Sequence, residues 1–356
     1  MTIRVLIVDD SPTMRALLGE LLRRESDISV IGAAADAAEA RAMIRELNPD
    51  VVTLDIEMPG MSGLEFLDKL MRLKPTPVII VSGMTREGAD TTVRALELGA
   101  VDCYAKPDGR VGSLLSADGG RLAELIRGAA KVQVRERTAF AAPAPSMVAA
   151  SASPAPASAT APGLRGQRPA LIAIGASTGG VEALHLLLQN FPADCPPTVI
   201  VQHINGQFAE AVARRLDQQC APIVTIAEPD LPLRAGHIYL APGNERHLQV
   251  RGSAAYPCAR MRADEKVAGH RPSVDVLFQS VADTIGDQAV GVLLTGMGSD
   301  GAQGLLAMAQ AGAGTIAQDE ATCTVFGMPK AAIKLGAARM IAPLHRIADH
   351  ALARAA

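Results

Sequence analysis

Between residues 3 and 131, short β-branched runs alternate with amphipathic stretches, a pattern that few folds accommodate. The apolar runs are "IRVLIV", "ISVIG", "VVTL", "VIIVS" and "VDCYA". Helical periodicity is predicted between and after them, near Met14–Glu25, Asp36–Leu47, Leu64–Arg72, Arg86–Leu98 and Leu122–Val132. Ser11-Pro12 supplies a capping residue and a proline for the first helical position, and Gly99 a C-terminal stop. Strands joined through helices run parallel and are covered on both faces, so the segment reads as a doubly wound α/β domain.

The pattern stops abruptly near Thr138. Up to Arg168 the chain contains "AAPAPSMVAASASPAPASATAPG", nearly uncharged, aperiodic and broken by prolines. Such a segment buries too little apolar surface to offset its ordering entropy, which predicts a flexible linker. A second α/β pattern follows from about Ala170, with strand candidates "ALIAIG", "TVIVQ", "IVTIA", "HIYLA", "HLQVR", "AVGVLLT", "GTIAQ" and "RMIAP". Helices are expected after Gly180, Phe208, Ser273 and Asp300. The organisation predicted is a domain over 1–135, a linker over 136–168 and a second domain over 169–356.

Composition excludes several classes. The 356 residues suffice for two separate cores. A net charge of -3 leaves no basic footprint for nucleic acid. No secretory signal opens the chain, and no run of about 18 apolar residues offers direct membrane insertion. The five cysteines lack paired spacing and read as thiols of a reducing cytosol. A cytoplasmic protein is expected.

In open α/β sheets, ligands collect beyond the C-terminal ends of the strands. In the first domain Asp9 and Asp10 follow the first strand, Asp55 the third, Ser82 the fourth and Lys106 the fifth. Singly, each has a bland use as a cap, a turn or a solvated loop residue. Together, three converging carboxylates require a cation, and an all-oxygen set suits Mg2+. A neighbouring lysine and hydroxyl then complete a site able to place a phosphoryl group on one carboxylate.

The same logic in the second domain brings Ser177, His203 and Asp300 to successive strand ends. Gly175-Ala176-Ser177-Thr178-Gly179 fits G-x-S-x-G, in which a tight strand-to-helix turn exposes a serine hydroxyl for activation by a base. A glycine-rich turn of this kind also serves as a phosphate cradle. Ser177 stands where the second glycine of a dinucleotide fingerprint belongs, and His203 where a ribose-binding acid belongs, which favours the nucleophile. Chain order leaves a rival triad of Ser177, Asp300 and His345. It also leaves a different class of protein, a response regulator whose second domain binds a nucleotide or a protein without catalysis.

The first domain, through "TLDIEMPGMSG" and its strand-end residues, resembles a two-component receiver of flavodoxin-like fold. The resemblance implies Asp55 as phosphoryl acceptor, Mg2+ held by Asp10, Asp55 and the Glu57 backbone carbonyl with help from Asp9, and phosphoryl contacts from Ser82 and Lys106. Cys103 stands where many receivers carry an aromatic switch residue, and Tyr104 beside it points to the opposite face of the strand. The second domain carries "AIGASTGG", "VQH", "GHIYLAPG", "GHRPSVDVLF", "LLTGMGSDGAQG" and "AQDEATCTVFGMP". With the receiver ahead of it, it resembles the chemotaxis protein-glutamate methylesterase/glutamine deamidases of the CheB family, whose catalytic domain is Rossmann-like and mostly parallel. That resemblance implies Ser177 as nucleophile, His203 as base and Asp300 as its orienter, with oxyanion donors at Met297 and Thr178 and no cofactor in the esterase domain. It further implies methylated chemoreceptors, in their cytoplasmic helical region, as substrates and a chemotaxis histidine kinase as phosphodonor. Asn205 and Ala209 depart from the proline and threonine usual in the family.

Overall fold

In a computed structural model of the chain, residues 2–58, 60–83, 85–106, 120–132, 168–243 and 246–353 are described. The predicted linker lies outside these residues except for Arg168.

The first unit is a five-stranded parallel sheet of order β2-β1-β3-β4-β5, built from β1 (Ile3–Val8), β2 (Ile28–Ala34), β3 (Val51–Asp55), β4 (Val78–Ser82) and β5 (Asp102–Ala105). Every residue of β3 and β4 is buried, as covering on both faces requires. The helices are α1 (Pro12–Arg23), α2 (Ala37–Leu47), α3 (Gly63–Leu73), α4 (Arg86–Glu97) and α5 (Arg121–Ala129). Ser11 caps α1 by accepting from the Met14 amide, with Pro12 in the first turn. Asp36 caps α2 through the Ala38 and Glu39 amides. Each such cap contributes about 1 kcal/mol. Gly99, just past α4, takes φ +102°, the conformation that glycine tolerates best.

The second unit is a seven-stranded, wholly parallel sheet of order β14-β13-β12-β6-β7-β9-β8. Its strands are β6 (Leu171–Ala176), β7 (Thr198–Gln202), β8 (Ile223–Ile226), β9 (His237–Leu240), β12 (Ala289–Leu293), β13 (Gly314–Gln318) and β14 (Met340–Ala342). The "HLQVR" strand is not in this sheet: as β10 (His247–Gly252) it pairs antiparallel with β11 (Pro257–Arg262), which the sequence pattern had not indicated. The expected helices are α6 (Gly180–Leu188), α7 (Gly206–Gln219), α8 (Val274–Thr284) and α9 (Ala302–Gln310), and two more follow as α10 (Met328–Lys334) and α11 (Leu344–Leu352). Among the described residues no helix is long and apolar enough to cross a membrane.

The two units meet along α4 and α7. Arg215 Nε lies 2.9 Å from Glu97 and Arg214 lies 2.8 Å from Asp90. These ion pairs are half-exposed and contribute little. An apolar cluster continues between the units beneath them, from Val93 and Leu96 to Val181, Ala211 and Val212, and burial of this kind holds the interface.

Candidate functional site

Strand order explains the site. β12, β6 and β7 are parallel neighbours, so their C-terminal ends bring together residues remote in the chain. Ser177 follows β6, His203 follows β7 and Asp300 follows β12, and all three are buried. The turn after β6 is fixed from several sides. The Ser177 amide donates to the Thr295 carbonyl at 3.0 Å, and the Ser177 carbonyl accepts from Gln202 Nε2 at 2.8 Å and from the Gly180 amide at 2.7 Å. Gly179 enters α6 with φ +75°. Among the described residues no acceptor takes the Thr178 or the Met297 amide.

Asp300 holds the centre. Its Oδ2 accepts from His203 Nε2 at 2.8 Å and from the Val274 amide at 2.7 Å. Its Oδ1 accepts from Ser273 Oγ at 2.7 Å, the Asp275 amide at 3.0 Å and the Gly301 amide at 3.1 Å. Val274 and Asp275 open α8, so the carboxylate also sits at the positive end of a helix dipole. Burial pushes its carboxyl up, but His203 and these donors outweigh burial and hold it at about 2. An ionised carboxylate only accepts, so Nε2 of His203 carries the proton and Nδ1 is left with its lone pair. Nδ1 is buried with no hydrogen-bond partner, and among the described residues no hydrogen bond yet joins it to the Ser177 hydroxyl. An unpaired, unprotonated imidazole nitrogen is available as a general base.

His345 is no competitor for this place, because it is exposed on α11 while Asp300 is engaged by His203. His270 is an addition that sequence reasoning did not assign, although it lies within "GHRPSVDVLF". It stacks on His203 with centroids 3.8 Å apart, and burial beside His203 pushes its pKa down to about 4. Asn205, where the family pattern has proline, caps α7 by accepting from the Phe208 amide at 3.1 Å, and Ala209 is fully buried in that helix. A cavity of about 600 Å3 opens beside His203 and His270, walled on its other side by Asp102, Lys106 and Arg121 of the first unit.

The first unit gathers its own cluster. Oxygens of Asp9, Asp10 and Asp55 lie within 4.8 Å of one another, with Asp10 exposed. Lys106 Nζ is 2.6 Å from Asp55 Oδ2 and 3.0 Å from Asp9 Oδ2. Burial pushes the Asp9 carboxyl up, against the opposing pull of Lys106. The Asp55 carboxylate also accepts from the Glu57 amide at 3.0 Å. Ser82 is buried and its hydroxyl donates to the Gly88 carbonyl at 3.3 Å. Cys103 and Tyr104 pack into different apolar clusters on the two faces of the sheet.

Comparison with known proteins agrees with both halves. Residues 5–113 match the response regulator receiver domain, and residues 172–351 match the CheB methylesterase domain. A protein-glutamate methylesterase/protein-glutamine glutaminase of Agrobacterium fabrum is 52% identical over 352 residues, covering 98% of this chain and 95% of that one. A Caulobacter vibrioides protein of the same description is 51% identical, covering 94% and 93%. The Thermotoga maritima CheB methylesterase catalytic domain superposes with a TM-score of 0.50 at 33% identity, over 51% of this chain and 96% of that domain. The chain belongs to the CheB family of bifunctional protein-glutamate methylesterase/protein-glutamine glutaminases, with a receiver domain ahead of the hydrolase.

Proposed function

We propose that Ser177, His203 and Asp300 hydrolyse γ-glutamyl methyl esters on chemoreceptors, and that the receiver controls them through phosphorylation of Asp55. Ser177 Oγ attacks the ester carbonyl while His203 Nδ1 takes its proton. Asp300 fixes the tautomer that makes Nδ1 the base and stabilises the imidazolium. The Thr178 and Met297 amides receive the oxyanion. Collapse expels methanol, which takes the proton back from His203, and water activated by the same nitrogen releases glutamate from the acyl-serine. A glutamine side chain follows the same course with ammonia as the leaving group. The observation that carries this is the His203 Nε2–Asp300 Oδ2 bond with Nδ1 left unpaired, on the same sheet edge as Ser177.

In the receiver, three clustered carboxylates that share a single lysine, one of them exposed, fit a hard divalent cation. Asp10, Asp55 and the Glu57 carbonyl would hold Mg2+, with Asp9 assisting. When bound, the ion neutralises charge on the phosphoryl oxygens. Lys106 and Ser82 bind those oxygens once Asp55 carries the group. The partners are then the cytoplasmic helical region of methylated receptors and a chemotaxis histidine kinase, and the protein works in the cytoplasm. Residues 1–135 form the receiver, 136–168 the linker and 169–356 the esterase.

Methanol release from methylated receptor membranes, with and without acetyl phosphate, tests this. Turnover should rise with the phosphodonor and vanish in Ser177→Ala. Retained turnover in that variant would remove Ser177 from the mechanism.

A further inference from the structure

The peptide group between Ser177 and Thr178 is held more firmly than strand pairing requires. β6 and β7 are already joined at their ends by the backbone, with Ala176 opposite Gln202 and the His203 amide donating to the Ala176 carbonyl at 3.0 Å. The buried side chain of Gln202, the last residue of β7, adds a bond from Nε2 to the Ser177 carbonyl at 2.8 Å. A carbonyl only accepts, so the amide end that faces it is the NH2 group. The other end, Oε1, is buried and makes no hydrogen bond among the described residues. An acceptor left unpaired in this way costs about 1–3 kcal/mol, so stability alone is a poor reason for a glutamine here. The amide also constrains its neighbour: a Cβ on Gly180 would run into Gln202 Oε1, and α6 accordingly opens with glycine.

We propose that Gln202 is a positioning residue for the oxyanion donor. The Ser177–Thr178 peptide is trans and planar, so its carbonyl and its N–H point in opposite directions. The Gly180 amide closes the turn on the same carbonyl at 2.7 Å, and that bond alone leaves the plane free to tilt about it. The second bond, from β7, removes this freedom. Fixing the carbonyl on one side therefore aims the Thr178 N–H on the other, where no acceptor among the described residues takes it. This rests on Ser177 as the nucleophile and the Thr178 amide as an oxyanion donor. The rest of Thr178 is held elsewhere: its hydroxyl lies 2.7 Å from Asp102 Oδ2 of the first unit, and its carbonyl accepts from Thr295 Oγ1 at 3.0 Å. Gln202 and Ser177 both belong to the second unit, so the aim of the N–H does not depend on the receiver. The segment "VQH" thus carries the base and, one residue before it, the group that orients an oxyanion donor.

Gln202→Met in the full chain keeps the length of the side chain, donates nothing and removes the unpaired acceptor. In methanol release from methylated receptor membranes, kcat should fall about 10²-fold, the scale of a 1 Å misplacement or of one lost oxyanion donor. KM should change little, because the N–H is needed most once charge develops on the carbonyl oxygen. The fall should be equal with and without acetyl phosphate, and the pH at which turnover fails on the acid side should not move, since Asp300 still sets the tautomer of His203. Gln202→Glu supplies a rescue: at about pH 5.5 a buried carboxyl takes up a proton and donates again, so this variant should exceed Gln202→Met there. An unchanged kcat in Gln202→Met overturns the proposal, as does a loss carried by KM. A shifted pH profile overturns it in favour of action through His203, and unequal falls with and without phosphodonor in favour of action through the receiver. Gln202→Glu no faster than Gln202→Met overturns it as well, because side-chain volume rather than the donated bond then matters. Retained turnover in Ser177→Ala overturns the reading beneath the proposal, an outcome distinguishable because Gln202 is intact in that variant.

Discussion

The imidazole of His270 lies flat against that of His203, with ring centroids 3.8 Å apart and planes 6° from parallel. A neutral ring in that position keeps His203 edge-on to Asp300 and closes one face to water. A charged ring there would oppose protonation of His203. His270 avoids this because burial and the neighbouring His203 lower its pKa from 6.5 to about 4. The folded state therefore prefers the neutral form, whereas the unfolded chain takes up a proton as pH falls below 6.5. Stability from this residue is complete above pH 6.5 and is lost as pH falls towards about 4. In His270→Phe, which keeps the stack, urea midpoints should fall less steeply across that window than in wild type. Equal slopes would mean that His270 does not titrate there.

Asp300 makes a separable prediction. Its carboxyl is held at about 2, so it stays ionised throughout the range of His270 titration. Its own contribution to stability is present above 3.8 and is lost as pH falls through about 2. Asp300→Asn directs an amide N–H at donors such as the Val274 amide and the Ser273 hydroxyl, or frees His203 to rotate. Turnover should fall by about 10³–10⁴-fold, the scale seen when a triad carboxylate becomes an amide. Because the loss concerns the tautomer of the base, kcat should carry it and KM should change little. A drop confined to KM would place Asp300 outside the proton transfer.

Ser177, His203 and Asp300 could be singled out in the sequence because each follows an apolar strand run, and the three together leave less room for a purely structural use than any one alone. Their meeting depended on β12 lying beside β6, a pairing between distant segments that no local pattern records. β11 escaped notice for a different reason. Its inward residues are Pro257, Ala259 and Met261, too small or too irregular to show alternation against Cys258, Arg260 and Arg262. His270 lies in a loop before α8, where periodicity has nothing to say. Asp102 looked like an ordinary strand residue, since its partner Thr178 belongs to the other domain.

The receiver cluster predicts a clean separation of metal dependence. Asp9, Asp10 and Asp55 crowd negative charge that Lys106 alone offsets only in part. Chelation of Mg2+ should abolish phosphoryl incorporation from acetyl phosphate, while basal methanol release should stay unchanged, because the chemistry proposed for Ser177, His203 and Asp300 uses no ion. Lys106→Ala should leave Mg2+ binding intact or stronger, since a competing cation is gone, yet uncouple Asp55 phosphorylation from activation. Weaker Mg2+ binding in that variant would contradict the arrangement.

Gly296 tests how tightly the nucleophile is held. It sits between β12 and Ser177, with its amide on the Val325 carbonyl and its carbonyl accepting from the Gly327 and Met328 amides. A Cβ there would run into Met328 Sδ and stand 2.7 Å from Ser177 Cβ. Gly296 has no positive φ, so alanine brings crowding without backbone strain. Overpacking at such a point costs about 1–3 kcal/mol. Met328 is a flexible side chain that yields in part, whereas the Ser177 turn is pinned by Thr295, Gln202 and Gly180. Gly296→Ala should therefore lower kcat by about 10²-fold, the scale of a 1 Å misplacement, beyond its effect on melting temperature. Gly336→Ala is the contrast: φ is +69° with open space around it, so it should cost about 1 kcal/mol of stability and leave kcat alone. Adding Met328→Ala to Gly296→Ala removes the contacting sulfur, and the double-mutant cycle should show a coupling of about 1 kcal/mol in transition-state stabilisation. Strict additivity would mean that the alanine pushes on Ser177 directly and that Met328 does not transmit the strain.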